Sequence, residues 1–435
     1  MGLGGGGEML RMRVALNEGD QIVKLLQADL GFHAAGSGHA RHGFHAFAAK
    51  FPPQLPAWFI EGLTEPGEVV FDPFLGSGTT VVEAMRLNRR AQGIDIDPLA
   101  ILMSRVKTSS LNPDQVSMMG RAIVHQAQID QRDPDTLLCH VDRRFSDKKD
   151  REFIDYWFLP STILELEALM EGIEAIEEPV YRQFFLVVFS SIIVTKSGGV
   201  SMARDLAHSR PHRVADKVPK SAIDSFAKRL AKLHSALGPV DAVFPPWIQQ
   251  GDIRWMAIPE NSVDLIVTSP PYANAIDYVR ANKFSLVWMG NPLRDLAVLR
   301  SQYIGTETHK LFDWDIFPAH VQEILHALSL KDRNKAGLLG QYLSDMRQAM
   351  ARMYQALKPG KCALIVVGTS TMRGLDVETP QSLALIAQDL GYQLQGVVER
   401  SLDRNRRMMP ARWGNKQTGI EQRMDSEQVI ALTKD

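Results

Sequence analysis

Apolar and polar positions along two parts of the chain predict the strands and helices of an α/β sheet. Residues 263–267 form a run that is apolar apart from Asp264, and residues 68–71 and 90–95 form two further short runs. Runs of this length are typical of strands buried in a parallel sheet. A helical stretch at 81–87 lies between the two shorter runs, so together they predict a strand–helix–strand unit.

The pattern changes over residues 108–247, where strands and helices do not alternate. We predict a largely helical insertion there. The longest apolar run, at 184–194, is shorter than the roughly twenty residues that cross a bilayer, so it predicts a buried helix.

A glycine-containing loop follows the first predicted strand. Residues 72–80 are Asp-Pro-Phe-Leu-Gly-Ser-Gly-Thr-Thr, and glycines let the backbone approach a ligand closely just before unpaired N–H groups at a helix start. The next strand ends in Asp95, where a carboxylate can bind the two ribose hydroxyls. The glycine spacing is not that of a dinucleotide-binding fold, and no Walker lysine is present. We therefore predict a site for an adenosine-containing cofactor.

Residues 268–272, Thr-Ser-Pro-Pro-Tyr, follow the run at 263–267. Ligands of open α/β sheets bind at the carboxyl ends of strands, where this segment is expected to lie. Because proline fixes φ and has no N–H group, the carbonyls of Ser269 and Pro270 have fewer local partners and can face a ligand. Acceptors beside the ring of Tyr272 suit the exocyclic amine of a base taken out of its stack. Taken alone, an ordinary proline-rich turn is the alternative.

The two motifs together resemble those of the amino-methyltransferases of DNA, which modify cytosine N4 or adenine N6. The resemblance covers roughly residues 40–107, 248–290 and 335–435. It implies a Rossmann-like class I methyltransferase fold, with a mostly parallel sheet and a closing antiparallel strand. It also implies S-adenosylmethionine as the cofactor and double-stranded DNA as the substrate. In Ser-Pro-Pro-Tyr members the catalytic strand usually precedes the cofactor loop, whereas here the loop comes first.

The resemblance also implies roles for individual residues. The predicted cofactor-binding residues are Lys50, Asp72, Phe74, Gly76, Gly78, Thr79, Asp95, Ile96, Asp252 and Ile253. The predicted catalytic residues are Ser269, Pro270, Pro271 and Tyr272, with Asn274 and Asp277 as second-choice base contacts. Asp97 is an alternative ribose ligand, but strand alternation favours Asp95.

The implied reaction moves a methyl group from a sulfonium, which carries the chemical potential. Acceptors at Ser269 and Pro270 would draw the amine toward a tetrahedral geometry and free its lone pair, while Tyr272 would stack on the flipped base. Neither Cys139 nor Cys362 follows a proline. A cytosine-C5 methyltransferase, which needs a thiolate nucleophile, is therefore disfavoured.

Ser269 favours cytosine N4 as the target. In the family, serine at this position is commoner among cytosine-N4 enzymes, and Asp or Asn is commoner among adenine-N6 enzymes. Serine is neutral and both accepts and donates, whereas aspartate would accept more strongly. We predict a site-specific cytosine-N4 DNA methyltransferase, with adenine N6 as the alternative.

The net charge of −1 gives no sign of a nucleic-acid partner, so the clustering of charge matters more. Residues 165–178 are rich in glutamate and are preceded by a predicted capping box from Thr162 to Glu165. Two basic stretches, at 196–232 and 404–416, are either solvated faces or the phosphate-contacting rims of a DNA cleft. The predicted DNA-binding residues are Arg204, Arg210, Arg213, Arg404, Arg406, Arg407 and Arg412.

The predicted organisation has four parts. Residues 1–40 form a flexible leader, 41–107 the cofactor half of the methyltransferase core, and 108–247 the helical insertion. Residues 248–435 form the catalytic half, with a second insertion at 291–335. The first insertion is the preferred candidate for DNA target recognition because it is large and partly basic, and the second is its competitor.

Composition agrees with a globular enzyme: 435 residues, 45% hydrophobic, and two cysteines, which is compatible with a reducing cytoplasm. We predict a cytoplasmic, DNA-associated protein with no membrane partner. His33, His39, His42 and His45 have no acids or cysteines at ligand spacing, so we predict no metal. Cognate restriction or defence-system proteins are candidate partners, and whether the enzyme belongs to such a system depends on its neighbours and not on this sequence.

Three other functions stay open from the sequence. A nicotinamide-dependent oxidoreductase shares the strand–loop–helix but leaves Ser-Pro-Pro-Tyr unexplained. An RNA methyltransferase uses the same cofactor, although its usual RNA-binding modules are not evident. A non-catalytic DNA-binding protein is the third, but the motif residues are intact.

Overall fold

A central sheet carries the glycine loop, Asp95, Asp252 and the Ser-Pro-Pro-Tyr segment at the ends of its strands. The computed structural model describes residues 18–33, 40–47, 50–195, 199–204, 211–238, 240, 242–273, 278–305, 313–402 and 426–435. Within these residues the main sheet has seven strands. They are β1 (Val69–Asp72), β2 (Arg90–Asp95), β5 (Trp247–Gln250), β6 (Val263–Thr268), β7 (Leu357–Val367), β10 (Tyr392–Ser401) and β11 (Ser426–Lys434). Two small hairpins supply β3 (Ala203–Arg204) with β4 (His212–Arg213), and β8 (Thr371–Met372) with β9 (Leu375–Asp376).

Helices cover the sheet and build the insertion. The first group is α1 (Glu18–Leu26), α2 (Gln54–Leu63), α3 (Thr79–Arg86) and α4 (Pro98–Thr108), with a short 3₁₀ helix at Ala40–Gly43. The insertion contains α5 (Pro113–Asp130), α6 (Pro134–Arg144), α7 (Lys148–Trp157), α8 (Pro160–Glu174), α9 (Pro179–Ile193) and α10 (Ala222–His234). The remaining helices are α11 (Tyr278–Leu286), α12 (Leu293–Gln302), α13 (Ala319–Lys331), α14 (Arg333–Ala356) and α15 (Thr379–Asp389).

The strand order is β10-β11-β7-β6-β1-β2-β5. β5, β2, β1, β6 and β7 pair in parallel, and β11 lies antiparallel between β7 and β10. The predicted class I methyltransferase sheet, mostly parallel with a closing antiparallel strand, is confirmed. From β1 the chain proceeds to β2 and β5 on one side and then returns to β6 on the other. The boundary between β1 and β6 is therefore the switch point at which such sheets bind ligands.

Part of the predicted leader, residues 18–33, packs against the sheet. Helix α1 buries Ile22, Leu25 and Leu26 in one hydrophobic cluster with Leu55 of α2 and Val429 of β11. Apolar residues spaced three and four apart give α1 a buried face, and that face covers the sheet.

The helical insertion shares a hydrophobic cluster with two helices of the methyltransferase core. Phe184 and Phe185 of α9 are fully buried in the same cluster as Leu99 of α4 and Trp288, just after α11. Since one cluster runs through both parts, packing fixes the insertion to α4 and α11. Its predicted limit at residue 247 also cuts into β5, which begins at Trp247 and pairs with β2.

The predicted capping box from Thr162 to Glu165 is wrong. Helix α8 begins earlier, at Pro160, and Thr162 is buried inside it. Proline at the first helical position lacks an N–H group that would need a cap. Glu165 instead accepts hydrogen bonds from Ser221 Oγ (2.8 Å) and the Ile223 backbone N–H (3.0 Å) at the start of α10.

Part of the basic stretch at 196–232 points inward. Arg229 donates to Ser191 Oγ (3.0 Å) and to the carbonyl of Phe44 (2.8 Å), and Lys217 donates to the carbonyl of Ala203 (2.8 Å). These cations hold loops to helices and are not part of an exposed rim. Among the helices that the structure describes, none has both the length and the apolar character needed to cross a membrane.

Candidate active site

The site is organised around a hydrogen bond across the switch point. Asp72 ends β1 and Thr268 ends β6, and the Thr268 hydroxyl donates to Asp72 Oδ1 at 2.6 Å. The same oxygen accepts the Phe74 backbone N–H (3.1 Å), which starts the glycine loop. Thr80 of α3 donates to the carbonyl of Val267 (3.1 Å). These contacts tie the loop and its helix to the strand that carries Ser-Pro-Pro-Tyr.

The glycine loop is folded by two glycines in the left-handed region. Gly76 has φ of 50° and Gly78 has φ of 79°, and Gly78 caps α3. A Cβ atom on Gly78 would lie 2.5 Å from Ser104 Oγ, so α4 packs where a side chain would stand. Thr79, the first residue of α3, is buried. Glycine at 78 therefore meets both a dihedral and a packing requirement.

Asp95 receives the loop at the end of β2. Its Oδ2 accepts the Gly76 backbone N–H (2.7 Å) and its Oδ1 accepts the Asp97 backbone N–H (2.9 Å). Asp97 is buried and caps α4 by accepting the Leu99 N–H (2.8 Å). It also accepts from Asn282 Nδ2 of α11 (2.6 Å). Asp97 is thus committed to structure, while Asp95 stays partly exposed at the edge of the sheet.

Burial sets the charge state of these carboxylates. It raises the pKa of Asp95 to about 7, with repulsion from Asp97 adding to the rise and the two backbone N–H groups opposing it. It raises the pKa of Asp72 to about 6, against hydrogen bonds from Thr268 and Thr80. The pKa of Asp97 is raised for the same reason. Three acids close together with raised pKa values are typical of a functional site.

A second set of side chains supports the glycine loop and the helix that follows it. Lys107 of α4 is fully buried and donates to the carbonyl of Ser77. Burial holds its pKa well below the ordinary lysine value, and the nearby charge of Lys50 lowers it further. Lys50 donates to the carbonyl of His42 (2.8 Å), and His42 hydrogen-bonds Glu83 of α3 (2.6 Å). Lys50 therefore helps to hold the 3₁₀ helix at Ala40–Gly43.

Asp252 follows β5 and meets the end of β2. The Gly251 N–H donates to the Asp95 carbonyl (2.9 Å), and the Gln250 side chain donates to the carbonyl of Ile96 (3.2 Å). Both oxygens of Asp252 accept from Arg254 Nε at 3.0 Å, and Arg254 also pairs with Asp345 of α14 (2.7 Å).

The apolar members of the predicted cofactor set lie close by. Ile253 is buried in one hydrophobic cluster with Phe71 and Ile94, and Phe74 packs against that cluster. The loop, Asp95 and Asp252 thus follow three neighbouring strands.

The Ser-Pro-Pro-Tyr segment leaves the carboxyl end of β6, the strand next to β1. Pro270 is buried, whereas Ser269, Pro271 and Tyr272 are partly exposed. The Tyr272 hydroxyl donates to Glu427 Oε1 of β11 at 2.6 Å. Because β6, β1, β2 and β5 are adjacent and parallel, the predicted catalytic and cofactor-binding segments lie along one edge. Asn274 and Asp277 lie outside the described residues.

The predicted DNA-binding arginines are described only in part. Arg204 and Arg213 are exposed on the β3–β4 hairpin of the insertion. Arg213 donates to the carbonyl of Tyr156 (2.8 Å), and its guanidinium lies 5.4 Å from the centre of that ring. The remaining members fall outside the described residues, namely Arg210, Arg404, Arg406, Arg407 and Arg412.

The predicted methyltransferase fold and site are consistent with the known proteins that this chain resembles in sequence. A family model described as DNA methylase matches residues 31–104, which include the glycine loop and Asp95. The Type II methyltransferase M.MvaI of Kocuria varians is 26% identical over 382 residues, covering 80% of this chain and 81% of that protein. The Type II methyltransferase M.AvaI of Nostoc is 22% identical, covering 76% of this chain and 74% of that one.

A solved S-adenosylmethionine-dependent methyltransferase from Methanosarcina mazei is 10% identical, with a TM-score of 0.31 over 86% of this chain and 96% of its own. A TM-score this low does not show a shared fold. The sequence matches confirm the predicted resemblance to the amino-group DNA methyltransferases of the N4/N6 family. They support S-adenosylmethionine as the cofactor.

Several residues that shape the site were not predicted from the sequence. Lys107, Asn282 and Glu427 each contact a site residue, and they come from α4, α11 and β11. None lies in a motif, and each acts over a long separation in sequence. The motifs predict which residues face the ligands. They do not predict which other residues hold those side chains in place.

Replacing Gly78 with alanine tests the loop geometry. An alanine there must adopt a φ of 79° and displace Ser104, so we expect the free energy of unfolding to fall by about 1–3 kcal/mol. We also expect weaker S-adenosylmethionine binding by calorimetry. The control is Gly238→Ala, because a Cβ atom at Gly238 meets nothing within 4 Å. Equal stability of the two variants would show that Gly78 is not constrained.

Proposed function

We propose that this enzyme methylates the exocyclic N4 amine of a cytosine flipped out of double-stranded DNA. Serine, and not an acid, opens the Ser-Pro-Pro-Tyr segment, and this observation carries the choice of base. Ser269 leaves β6 directly beside β1, whose end carries the cofactor loop. A neutral hydroxyl and a proline carbonyl suit the cytosine amine as acceptors.

The cofactor site is proposed along β1, β2 and β5. The partly exposed glycine loop offers close backbone approach, Asp95 suits the ribose hydroxyls, and Asp252 suits the adenine amine. Ile96, Phe74 and Ile253 supply apolar surface near the adenine. The donor set fits a cationic ligand, because Asp72 and Asp95 are two carboxyl groups at this edge with which a positive charge can pair, and burial raises the pKa of both. When bound, S-adenosylmethionine supplies an electrophilic methyl group.

The base site is proposed at Ser269, Pro270, Pro271 and Tyr272. Ser269 Oγ and the Pro270 carbonyl accept the amine protons and hold the nitrogen with its lone pair toward the cofactor edge. The buried Pro270 gives this carbonyl a fixed position, and the ring of Tyr272 stacks on the base. After attack the nitrogen releases its surplus proton to solvent. The side chains therefore act by orientation, which is the main source of rate in such a transfer.

The helical insertion is proposed as the DNA recognition region, with residues 291–335 as its competitor. Trp157 of α7 packs edge-on to Phe284 of α11 with centroids 4.8 Å apart, and Ser190 of α9 hydrogen-bonds Ser285 (2.9 Å). Helix α11 follows the base segment in the chain. The insertion is thus held next to the catalytic side of the sheet.

Charge supports a DNA-contacting role for part of this region. Arg204 and Arg213 are exposed on the hairpin that extends from the insertion, and we propose that they contact phosphates. The arginines at 404–412 are proposed for the same role on the basis of the sequence alone. Matches to Type II methyltransferases support a site-specific enzyme with cognate restriction or defence proteins as candidate partners.

The choice of base is tested by following a labelled methyl group. The protein is incubated with tritiated S-adenosylmethionine and unmethylated genomic DNA, and the DNA is digested to nucleosides. We expect label in N4-methylcytosine, because Ser269 is a neutral acceptor. Label in N6-methyladenine would overturn the choice of base and leave the family unchanged. The control is Ser269→Ala, which is expected to transfer far more slowly.

The pKa of Asp95 predicts a pH dependence for cofactor binding. Ribose hydroxyls donate to the ionised carboxylate, and in the free enzyme this group titrates with a pKa of about 7. Below that pH the acid must lose its proton on binding. We therefore expect affinity to fall by up to about tenfold per pH unit below 7 and to level off above it.

Calorimetric titrations of S-adenosylmethionine between pH 5.5 and 8.5 measure this dependence. Asp95→Asn is expected to bind more weakly and with little change in affinity across the range. If the asparagine variant kept the full slope of the unmodified enzyme, Asp95 would not be the titrating group.

A further inference from the structure

The hydroxyl of Tyr272 donates a hydrogen bond to a buried carboxylate on β11, a strand that is separated from β6 by β7. Tyr272 Oη donates to Glu427 Oε1 at 2.6 Å, across 155 positions of sequence. Glu427 lies near the start of β11 and is only 8% exposed. A partly exposed tyrosine has solvent available for its hydroxyl. The hydroxyl therefore does not need a buried glutamate as its acceptor, and the presence of one requires a physical explanation.

The second oxygen of Glu427 is also occupied. Arg400 is paired with Glu427 in the β10–β11 register, and its guanidinium donates to Glu427 Oε2. Arg400 is 4% exposed, and its Nε donates to the carbonyl of Leu30 (3.2 Å), just beyond α1. An unpaired buried carboxylate would be strongly unfavourable. Arg400 both neutralises Glu427 and fixes its rotamer.

Two anchored oxygens leave Glu427 with little freedom. Rotating its side chain breaks the bond to Arg400 as well as the bond to Tyr272. A tyrosine side chain has only two rotatable bonds before the ring, so fixing the distal hydroxyl fixes the direction of the line from Cβ to Oη and with it the position of the ring. The chain Leu30–Arg400–Glu427–Tyr272 thus runs from the N-terminal helix to the ring beside the candidate base site.

We propose that Glu427 is a positioning residue that sets the position of the Tyr272 ring against the target base, with Arg400 holding Glu427 in place. This inference rests on the proposed function, in which Tyr272 stacks on the flipped base. A stacked base takes its position from the ring beneath it. The amine is in line with the methyl group only over a narrow range of ring positions, and small misplacements reduce the rate strongly.

The competing explanation is that Glu427 only fastens β11 to the catalytic segment. Both explanations predict lower stability when Glu427 is changed. Only the positioning role predicts that the rate of methyl transfer depends on Glu427 through the Tyr272 hydroxyl. The test therefore separates the transfer rate from stability and from cofactor affinity.

The first comparison uses Tyr272→Phe and Tyr272→Ala. Phenylalanine keeps the ring, loses the bond to Glu427, and leaves the Glu427–Arg400 pair intact. Single-turnover transfer from tritiated S-adenosylmethionine to unmethylated genomic DNA is measured at saturating cofactor. We expect about a tenfold lower rate for the phenylalanine variant, because a hydrogen bond to a charged group contributes roughly the free energy that corresponds to a tenfold change in rate. The alanine variant is expected to be slower still, and cofactor affinity unchanged in both.

The second comparison is a double-mutant cycle with Glu427→Gln. Alone, this change is expected to slow transfer and lower the melting temperature, because Arg400 loses its charged partner. In the Tyr272→Phe background the melting temperature should fall by a similar amount, but the rate should not fall further. Glu399→Gln is the matched control, because Glu399 is exposed on β10 beside Arg400.

The outcomes separate the inference from the proposed function. A phenylalanine variant as fast as the unmodified enzyme, beside a slow alanine variant, would overturn the positioning role and leave the stacking role intact. Rate losses that add fully in the cycle would also overturn it. An alanine variant at the unmodified rate would overturn both, because the ring itself would then be dispensable.

Discussion

The hydrogen bond from Thr268 to Asp72 is the interaction on which the site depends. It joins residues 196 positions apart, at the ends of the two strands that flank the switch point of the sheet. Asp72 also orders the start of the glycine loop through the Phe74 N–H, and Ser269 follows Thr268 directly. One carboxylate therefore sets the distance between the segment that is expected to hold the methyl donor and the segment that is expected to hold the base. Thr80, bonded to the carbonyl of Val267, reinforces the same junction.

Placing three acids at this edge of the sheet is electrostatically unfavourable, but it can favour the binding of a ligand. Burial raises the pKa values of Asp72, Asp95 and Asp97, repulsion from the other two acids raises the pKa of Asp95 further, and backbone N–H groups offset part of the rise. An edge of partly compensated carboxylates favours a cationic ligand such as a sulfonium. Asp97 is withdrawn from this role by its bonds to Leu99 and Asn282. The acids thus divide between holding the fold together and facing the ligand.

Local sequence predicted the parts of this protein that depend on local chemistry. Buried strands show as apolar runs, and the glycine loop shows because positive φ demands glycine, as at Gly78. Long-range partners left no such signal: Glu427 contacts Tyr272 only because β11 inserts beside β7. Flexibility of the leader was predicted from the glycines near the start of the chain, and residues 18–26 form α1. The capping box failed because a proline two residues earlier, Pro160, already started the helix.

The central role of the Thr268–Asp72 bond is tested by replacing Thr268 with valine, which keeps its shape and removes the hydroxyl, and by measuring cofactor affinity and transfer rate in the same variant. We expect S-adenosylmethionine to bind more weakly and single-turnover transfer to DNA to slow, since one bond positions both segments. Thr162→Val, at a buried threonine of α8 in the helical insertion, serves as the control and should change neither quantity. If both affinity and rate were unchanged in the Thr268 variant, the two halves of the site would be positioned independently of this bond, and its central role would be disproved.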